Sequence, residues 1–391
     1  MGGILEGIRV VDLSRYIAGP YCGMLLADMG AEVIKVEKAG EGEVSRTVGP
    51  WSKDGVSLFF ITQNRNKKSV TADTRTPEGI EIIKKLIAES DVLLENFRAG
   101  TMEKMGLGYE EVKKINPRII MVSVSGFGQG GPWRDRLAYD GIISAASGVT
   151  RMEKDHVERS KGAIHDHMAG MYATIGTLLA LIDRQKTGKG QFVDVAMLAS
   201  STMLRSDAIA DAFLNGDDAA MVSEDSAPYG YVKATDGWVI FYASTDHMYR
   251  KLLGIIDDPF LHEERFLHDM QMRVAHFDEL MACIRAWAAD KSCEELVEIF
   301  KSHDLPSAIS ATPGVLLRNE HLWERGYLVK MPVHGIEEPV PVMGFPIKFS
   351  EHQDIEFRTP PAVGEHTEQV YRDVLGMSDE EMAELKSKGI I

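Results

Sequence analysis

An aspartate between two histidines, Asp166 flanked by His165 and His167, is a candidate for chemistry in this sequence. It stands in KGAIHDHMAG, just before a long apolar stretch. An aspartate directly before a helix is a preferred N-cap, worth about 1 kcal/mol. The helix N-terminus also favours an anion and keeps the carboxyl ionised, as a nucleophile requires. The residues alone leave three roles open: helix cap, metal ligand and catalytic carboxylate.

A metal site at this sequence needs ligands from elsewhere in the chain. The two histidines are two residues apart, so they share one side of a strand but lie on different sides of a helix. Two histidines and one carboxylate form a known ligand set, but no HExxH motif or cysteine pair completes it. Cys22, Cys283 and Cys293 have no metal-type spacing. We therefore predict no metal.

A glycine-rich stretch, SGFGQGGPW at 125–133, follows the strongest apolar run of the chain. Gly126, Gly128 and Gly131 satisfy the letters of the dinucleotide-binding fingerprint. However, no amphipathic helix follows, and no second strand ends in an acidic residue at the distance that motif requires. The stretch predicts a tight turn with exposed backbone N–H groups and argues against an NAD-dependent enzyme.

Basic residues cluster around two of the predicted strands. NRNKK occupies 64–68, Arg75 follows the next strand, and Lys35 and Lys38 flank another. In a chain with a net charge of −16, such a cluster either contacts a polyphosphate or forms an ordinary solvated surface. The composition leaves both open.

The net charge of −16 argues against nucleic acid or an anionic membrane as a partner. The apolar runs are too short to span a bilayer, and the opening MGGILEGIRVVDLS has no signal-peptide pattern. Only 3 cysteines are present, too few for a disulfide framework. We expect a cytoplasmic protein.

Strand-like and helix-like patterns alternate over the first 200 residues. Apolar and alternating runs predict strands at 8–13, 32–37, 69–73, 91–97 and 118–125. Helices are predicted from 20 to 29, from Pro77 onward, and from 168 to 185 before the turn TGKG. This order predicts an α/β fold with a mostly parallel sheet covered by helices.

The pattern changes after about residue 225. A hairpin is predicted at 232–242 around Asp236-Gly237, followed by helices near 246–256, 275–289 and 292–302, which indicates a smaller α+β domain. A charged helix, SDEEMAELKSKG, lies near the end. We predict a large domain at 1–205 that is completed by 335–391, a small domain at 225–328, and linkers at 206–224 and 329–334.

Several ordered motifs together resemble one family over nearly the whole chain. They are LEGIRVVDLSRYIAGPYCGMLLADMGAEVIKVEKAGEGEVSR, NRNKKSVTADTRTPEG, DVLLENFRAGTMEKMGLGYEEVKKINPRIIMVSVSGFGQGGP, AYDGI, LLALIDRQKTGKGQFVDVAM and PPAVGEHTEQVYRDVLG. The family is the class III, CaiB/BaiF-type CoA transferases, with the α-methylacyl-CoA racemases as relatives. The resemblance implies a Rossmann-like large domain formed by both chain ends, a smaller α+β domain, and an interlocked homodimer.

The resemblance also implies site residues. Asp166 matches the family nucleophile, which forms an aspartyl–acyl anhydride and then an aspartyl-CoA thioester while CoA moves from an acyl-CoA donor to a carboxylic acid acceptor. CoA is then a substrate, and no permanently bound cofactor is expected. The implied CoA contacts are Lys38, Ala72, Arg75, Asn96, Phe97, Lys104, Met105 and Tyr139. The implied substrate pocket contains Ile17, Trp51, His165 and His167. Relatives can carry glutamine at the Ile17 position and a cation at the Leu137 position, so the apolar residues here depart from that pattern.

The main alternative is a racemase-like epimerase, which needs two bases flanking the α-carbon. In that branch a histidine precedes the aspartate at the Asp140 position, and a glutamate falls near Lys233. Here the first is Tyr139 and the second is a lysine, which favours CoA transfer. A non-catalytic acyl-CoA binder is the further alternative, but it has no use for a carboxylate at 166.

The sequence does not identify the donor or the acceptor acid. The two histidines suggest an acceptor with an extra carboxylate or hydroxyl group. The stretch SEDSAPYGYV contains a single glycine, which argues against the glycine-rich loop of oxalate-type members.

Overall fold

The computed structural model describes residues 3–152, 157–158, 162–216, 226–352 and 355–391. The chain divides into two compact units, Met1–Ser206 with His321–Ile391, and Asp207–Glu320. We call them the first and second unit. The predicted linker at 206–224 and the stretch SEDSAPYGYV lie partly outside the described residues, and the predicted domain boundaries stay a prediction.

The strands follow the β-branched and apolar runs of the sequence. In chain order they are β1 Arg9–Asp12, β2 Glu32–Glu37, β3 Lys68–Thr71, β4 Val92–Glu95, β5 Ile120–Ser125, β6 Arg151–Met152, β7 Val157–Glu158, β8 Phe192–Ala196, β9 Tyr229–Lys233, β10 Trp238–Tyr242, β11 Ser307–Ile309, β12 Leu328–Val333 and β13 Ile336–Met343.

Several helices are preceded by a Ser, Thr or Asp side chain that accepts a backbone N–H of the first turn. In chain order they are α1 Ala18–Asp28, α2 Leu58–Asn64, α3 Pro77–Ala88, α4 Thr101–Lys104, α5 Tyr109–Ile115, α6 Asp140–Ala146, α7 Ile164–Thr187, α8 Met197–Thr202, α9 Ser206–Asn215, α10 Asp246–Leu253, α11 Glu264–Leu267, α12 Met270–Ala275, α13 Phe277–Ala288, α14 Cys293–Ser302, α15 Pro313–Leu317, α16 Glu320–Glu324, α17 Thr367–Asp373 and α18 Asp379–Ser387. Short 3₁₀ turns occupy Val44–Thr47 and Met203–Arg205.

The first unit is built on a six-stranded sheet in the order β3-β2-β1-β4-β5-β8. Every neighbouring pair is parallel, so the predicted parallel α/β fold is confirmed. The strand order reverses between β1 and β4, and open α/β sheets bind ligands at such a switch point, outside the carboxyl ends of the strands. We call that side of the sheet the carboxyl edge.

Helices cover both faces of this sheet. One apolar core packs α3, α5, α17 and α18 against one face, and a second packs α1 and α7 against the other. Strands covered on both sides must be continuously apolar, as Val10, Val11 and Leu93 illustrate with no exposed surface. The hydroxyl of Tyr371 donates to the Thr71 carbonyl oxygen at 2.7 Å, so the C-terminal helices belong to the first unit.

The second unit has its own apolar core and a three-stranded sheet in the order β11-β10-β9. Its strands pair antiparallel, and the predicted hairpin around Asp236-Gly237 joins β9 to β10. No helix in the described ranges is both long and apolar enough to cross a membrane.

Candidate active site

Parallel strands bring most of the predicted CoA contacts to the carboxyl edge. Because all six strands point the same way, the segments that follow them meet at one side of the sheet. The predicted CoA contacts are Lys38 after β2, Ala72 and Arg75 after β3, Asn96 and Phe97 after β4, Lys104 and Met105 at the end of α4, and Tyr139 before α6. Ile17, a predicted pocket residue, follows β1. Trp51 lies between the first 3₁₀ turn and α2 and is 49% exposed.

The loop between β1 and α1 is held to the loop after β4 across the switch point. The Arg15 N–H donates to Asn96 Oδ1 at 2.8 Å, and Asn96 Nδ2 donates to the Arg15 carbonyl at 2.7 Å. The Arg15 guanidinium lies 5.1 Å from the centre of the Phe97 ring. Tyr16 takes a φ of 65°, a strained conformation that persists only where the surroundings fix it. The Asn96 amide, a predicted CoA contact, is thus occupied in positioning this loop.

Two lysines with fully buried side chains, Lys67 and Lys35, hold the same loop through hydrogen bonds. Lys67 Nζ donates to Asp12 Oδ2 at 2.9 Å and to the Pro20 carbonyl, in the first turn of α1, at 2.8 Å. Lys35 Nζ donates to the Ser14 carbonyl at 2.8 Å. Burial raises the pKa of Asp12 while the charges of Lys67 and Lys35 lower it, and the net shift is downward. The network therefore holds an ionised aspartate inside the protein.

The basic cluster at 64–68 is mostly internal, so a polyphosphate contact there is the wrong interpretation for much of it. Arg65 forms a buried ion pair with Asp28 at 2.6 Å, and the partly exposed Lys68 pairs with Glu32 at 2.6 Å. The physical reason is that each cation has an acidic partner on a neighbouring element of the fold.

Three of the accessible cations near the carboxyl edge belong to the predicted CoA set, while Arg15 and Arg98 are exposed there as well. Lys38 is 39% exposed and pairs with Glu41. The Arg75 side chain is 70% exposed and pairs with Asp73. Lys104 is exposed as well.

Helix α7 brings Asp166 to this edge. Its last turn lies at the opposite side of the sheet, where Arg184 donates to the Arg118 carbonyl just before β5 at 3.1 Å. Near its start, a Cβ at Gly170 would lie 2.7 Å from the Ala18 carbonyl oxygen, so α7 and α1 pack closely beside Ile17. Asp166 therefore lies in the first turn of α7, next to the loop that follows β1.

Asp166 is not the helix cap. Helix α7 begins at Ile164 rather than near 168, with Ala163 at the N-cap position and no side-chain cap bond. The cap comes from α6, where Asp140 Oδ1 accepts the N–H of His165 at 2.8 Å and the N–H of Asp166 at 3.3 Å. The cap prediction is wrong because a residue 26 positions away in the chain occupies that role.

The environment of Asp166 raises its pKa. Burial is the larger cause and the charge of Asp140 the second, and together they bring the pKa from 3.8 to about 7. The expectation that the helix N-terminus keeps this carboxyl fully ionised at neutral pH is therefore wrong, since desolvation and a like charge outweigh the dipole. A carboxylate with a raised pKa is a more basic nucleophile.

The two histidines point to different partners, as predicted for a helix. His165 is fully buried, and its Nδ1 lies 2.8 Å from Ser201 Oγ. That hydroxyl donates to the Met197 carbonyl at 2.8 Å, so the ring nitrogen is the donor toward Ser201. His167 is half-buried; its Nδ1 donates to the Ala163 carbonyl at 2.6 Å.

His167 is the better placed of the two for a substrate. Its ring meets the ring of Tyr21 edge-on at 4.7 Å, and its Nε2 lies 3.5 Å from Gln63 Nε2. The role of His165 in the substrate pocket stays a prediction. Among the described residues no group of three His, Cys, Asp or Glu side chains is arranged to hold a metal ion.

The glycine-rich turn after β5 is confirmed as a turn, since α6 starts only at Asp140. Gly128 and Gly131 have φ values of 91° and 82°. However, the Gly128 N–H donates to Ser125 Oγ at 3.1 Å and the Gln129 N–H to Asp194 Oδ2 at 2.9 Å. These two N–H groups are thus satisfied internally and not exposed to a ligand.

Two aromatic side chains, those of Tyr16 and Tyr139, are in contact just before α6. The rings of Tyr16 and Tyr139 meet edge-on with their centres 6.3 Å apart. Tyr139 is 69% exposed and Leu137 is 73% exposed. The side chains of Tyr139 and Leu137 are therefore accessible to a ligand at the carboxyl edge.

The sheet order defines a parallel α/β protein, a class in which ligands bind outside the carboxyl ends of the strands. The family model described as CoA-transferase family III matches residues 5–367, and the chain belongs to this family. It is therefore an enzyme of the EC 2.8.3 type.

Named relatives agree with this assignment over nearly the whole chain. The chain is 35% identical to the succinyl-CoA–L-malate CoA-transferase beta subunit of Chloroflexus aurantiacus, covering 99% of this chain and 98% of that protein. It is 32% identical to the human succinyl-CoA:glutarate CoA-transferase, covering 99% and 90%. A crystal structure of a CaiB/BaiF family protein from Brucella suis superposes with a TM-score of 0.84 at 31% identity, covering 96% of this chain and 100% of that one.

Proposed function

We propose that this chain moves CoA from an acyl-CoA to a carboxylic acid with Asp166 as the covalent carrier. The observation that carries the proposal is the position of Asp166: a desolvated carboxyl in the first turn of α7, at the carboxyl edge. A pKa of about 7 leaves much of this carboxyl ionised at neutral pH while keeping it basic. Both properties suit a nucleophile.

The reaction proceeds by two exchanges at the Asp166 carboxyl. One carboxylate oxygen attacks the acyl-CoA carbonyl, which forms an anhydride and expels the CoA thiolate. The thiolate then attacks the Asp166 carbonyl carbon, giving an aspartyl-CoA thioester and the donor acid. The acceptor carboxylate attacks that thioester, forming a second anhydride and again expelling the thiolate. Attack of the thiolate on the acceptor carbonyl releases the new acyl-CoA and regenerates Asp166.

The carboxyl-edge residues supply complementary contacts for CoA. Lys38, Arg75 and Lys104 offer positive charge to the phosphates. Ala72, Phe97 and Met105 offer apolar surface, Tyr139 is a further CoA contact, and Ile17 stands near the thioester. These assignments rest on the family resemblance, and the accessibility of the three cations supports them.

We propose succinyl-CoA as the donor and a dicarboxylic or hydroxydicarboxylic acid as the acceptor. Two relatives are named for succinyl-CoA with malate or glutarate, and both acceptors carry a second carboxylate. His167, half-buried in the first turn of α7, is the side chain we assign to that second group. His167→Ala is then expected to lower the preference for dicarboxylic over monocarboxylic acceptors, and unchanged selectivity would contradict this assignment.

We also propose a homodimer in the cytoplasm. Helix α7 carries an exposed apolar stripe of Tyr172, Ile175, Leu179 and Ile182, which are 38%, 50%, 61% and 51% exposed. Their spacing places them on one side of the helix, and a stripe of this kind marks a protein–protein contact. Cys22, Cys283 and Cys293 are all free thiols, as expected in a reducing compartment.

The covalent route is tested by trapping. The protein is incubated with succinyl-CoA, quenched with hydroxylamine and mapped by peptide mass spectrometry. We expect a hydroxamate at Asp166 that requires succinyl-CoA, is lost in Asp166→Asn and persists in Asp183→Asn, an exposed residue of the same helix. Absence of a hydroxamate together with exchange of the α-proton in D₂O would support the racemase-like alternative. CoA binding with neither reaction would support a binder.

A further inference from the structure

Asp140 and Asp166 bring two carboxyl groups together at the starts of two helices. Asp140 is the first residue of α6 and Asp166 the third of α7. One Asp140 oxygen accepts from two backbone N–H groups, those of His165 at 2.8 Å and Asp166 at 3.3 Å. Asp140 therefore has two effects on Asp166. Its carboxylate accepts the backbone N–H of Asp166, and its negative charge opposes ionisation of the Asp166 side chain.

The charge at this site changes during the proposed reaction. With Asp166 free and ionised, two negative charges lie close together. In the anhydride and in the thioester the Asp166 carbonyl group is neutral, so a single charge remains. Repulsion therefore raises the energy of the free enzyme and not that of the acylated forms, which shifts the balance toward the covalent intermediates.

We infer that Asp140 is a positioning residue for Asp166 that acts in two ways through its carboxylate. It fixes the first turn of α7 by accepting two N–H groups, and its charge favours the acylated over the free form of Asp166. This inference rests on the proposed function, since it concerns the free energy of covalent intermediates.

The neighbouring histidine rings each bond one other group through Nδ1, while His165 Nε2 is buried without a partner among the described residues. On α7 itself, the His165 ring bonds Ser201 on α8, and the His167 ring bonds the Ala163 carbonyl. On α1, the Tyr21 ring packs against His167. Among the residues that the structure describes, Asp140 is the charged group that acts on Asp166.

Asn and Ala at position 140 separate the two effects. Asp140→Asn keeps an oxygen that can accept the two N–H groups but removes the charge, whereas Asp140→Ala removes both. Asp183→Asn, on the exposed side of α7, is the matched control for loss of an aspartate. Thermal unfolding of each variant verifies that it is folded.

The first measurement requires no turnover. A diazo amide esterifies protonated carboxyl groups, so its reaction with Asp166, followed by peptide mass spectrometry against pH, gives the midpoint of protonation. Removal of the Asp140 charge is expected to lower that midpoint by about one pH unit in both variants at 140. Asp183→Asn is expected to leave it unchanged.

The second measurement is the yield of Asp166 hydroxamate after incubation with succinyl-CoA and free CoA at pH 8. We expect Asp140→Asn to lower the ratio of acylated to free Asp166 by about tenfold, corresponding to one pKa unit. Asp140→Ala is expected to lose more, and hydrogen exchange at the His165 and Asp166 amides should speed up in that variant alone.

The outcomes are distinguishable. An Asp140→Asn protein with the wild-type midpoint and the wild-type acylated fraction overturns the inference. A wild-type protein that forms no hydroxamate contradicts the proposed function instead, and the labelling midpoint still decides whether Asp140 acts on Asp166.

Discussion

The Asp166 carboxyl is held in surroundings that do not suit its charge. Burial and the neighbouring Asp140 raise its pKa to about 7, so the folded protein retains a proton there that the unfolded chain has released. Between the usual pKa of 3.8 and about 7 the native state binds more protons, and stability falls as the pH rises through that window. Above that pH window the fall in stability is complete. The reactive carboxylate therefore lowers the stability of the folded protein.

Asp166→Asn is therefore expected to stabilise the protein at pH 8. The amide has no charge to desolvate, so the free energy of unfolding should rise by up to about 4 kcal/mol relative to wild type, the equivalent of the pKa shift from 3.8 to about 7. The gain should vanish below about pH 3, where the wild-type carboxyl is protonated in both states because that pH lies under its usual pKa of 3.8. Urea unfolding of both proteins across this pH range measures the difference. A gain that is equal at both pH values, or a loss at pH 8, would contradict the raised pKa.

The same pKa sets a pH dependence for the chemistry. The attacking form of Asp166 is the carboxylate, so the rate of hydroxamate formation should rise through pH about 7 and level off above it. Below the midpoint the rate should fall about tenfold per pH unit. Rapid-quench trapping between pH 5 and 9 gives the profile, and a flat profile over that range would argue against a titrating nucleophile.

At the scale of elements, the loop between β1 and α1 depends on buried charges beneath it. Lys67 and Asp12 are fully buried and pair at 2.9 Å, and Lys67 also holds the first turn of α1 through the Pro20 carbonyl. Loss of one partner leaves an unpaired charge in the interior. The expected cost is large compared with that of a surface pair.

Lys67→Met is expected to lower the free energy of unfolding by about 3–5 kcal/mol. Lys68→Met is the matched control, because Lys68 is the next residue and its pair with Glu32 is partly exposed; we expect it to cost less than about 1 kcal/mol. Urea unfolding compares the two. Equal costs would mean that the buried network does not hold the loop.

The sequence predicts these elements well where local patterns decide them. The strand at 32–37 and the helix after Thr76 are found at the predicted residues, because an alternating run and a Thr-Pro-Glu start are local signals. The start of α7 is missed by four residues, since its cap is Asp140 from another helix. The burial of Lys67 is missed for the same reason, because its partner Asp12 lies 55 positions away. Asp140 stands within the quoted AYDGI motif, but its role requires the packing of α6 against α7.

At the scale of the whole molecule, the exposed stripe on α7 carries the prediction of a homodimer. Ile175→Glu combined with Leu179→Glu places two charges in the middle of the stripe, and we expect the dimer to dissociate or fail to form. Asp373→Lys, a charge change at the exposed end of α17 and so outside the stripe, is the control. Light scattering after size exclusion measures the mass, and a double variant that keeps the dimer mass would place the interface elsewhere.

If Asp166 is the covalent carrier, one oxygen atom must pass from the acceptor acid to its carboxyl group. In the proposed sequence the acceptor carboxylate attacks the aspartyl-CoA thioester, and the bridging oxygen of the resulting anhydride stays on Asp166 when the thiolate attacks the acceptor carbonyl. In a single turnover with succinyl-CoA, glutarate labelled with ¹⁸O in its carboxylates should therefore leave one ¹⁸O in the Asp166 peptide, and repeated turnovers should label both carboxyl oxygens. If glutaryl-CoA accumulates while that peptide stays unlabelled, CoA is transferred without Asp166 as the covalent carrier, and the account is wrong.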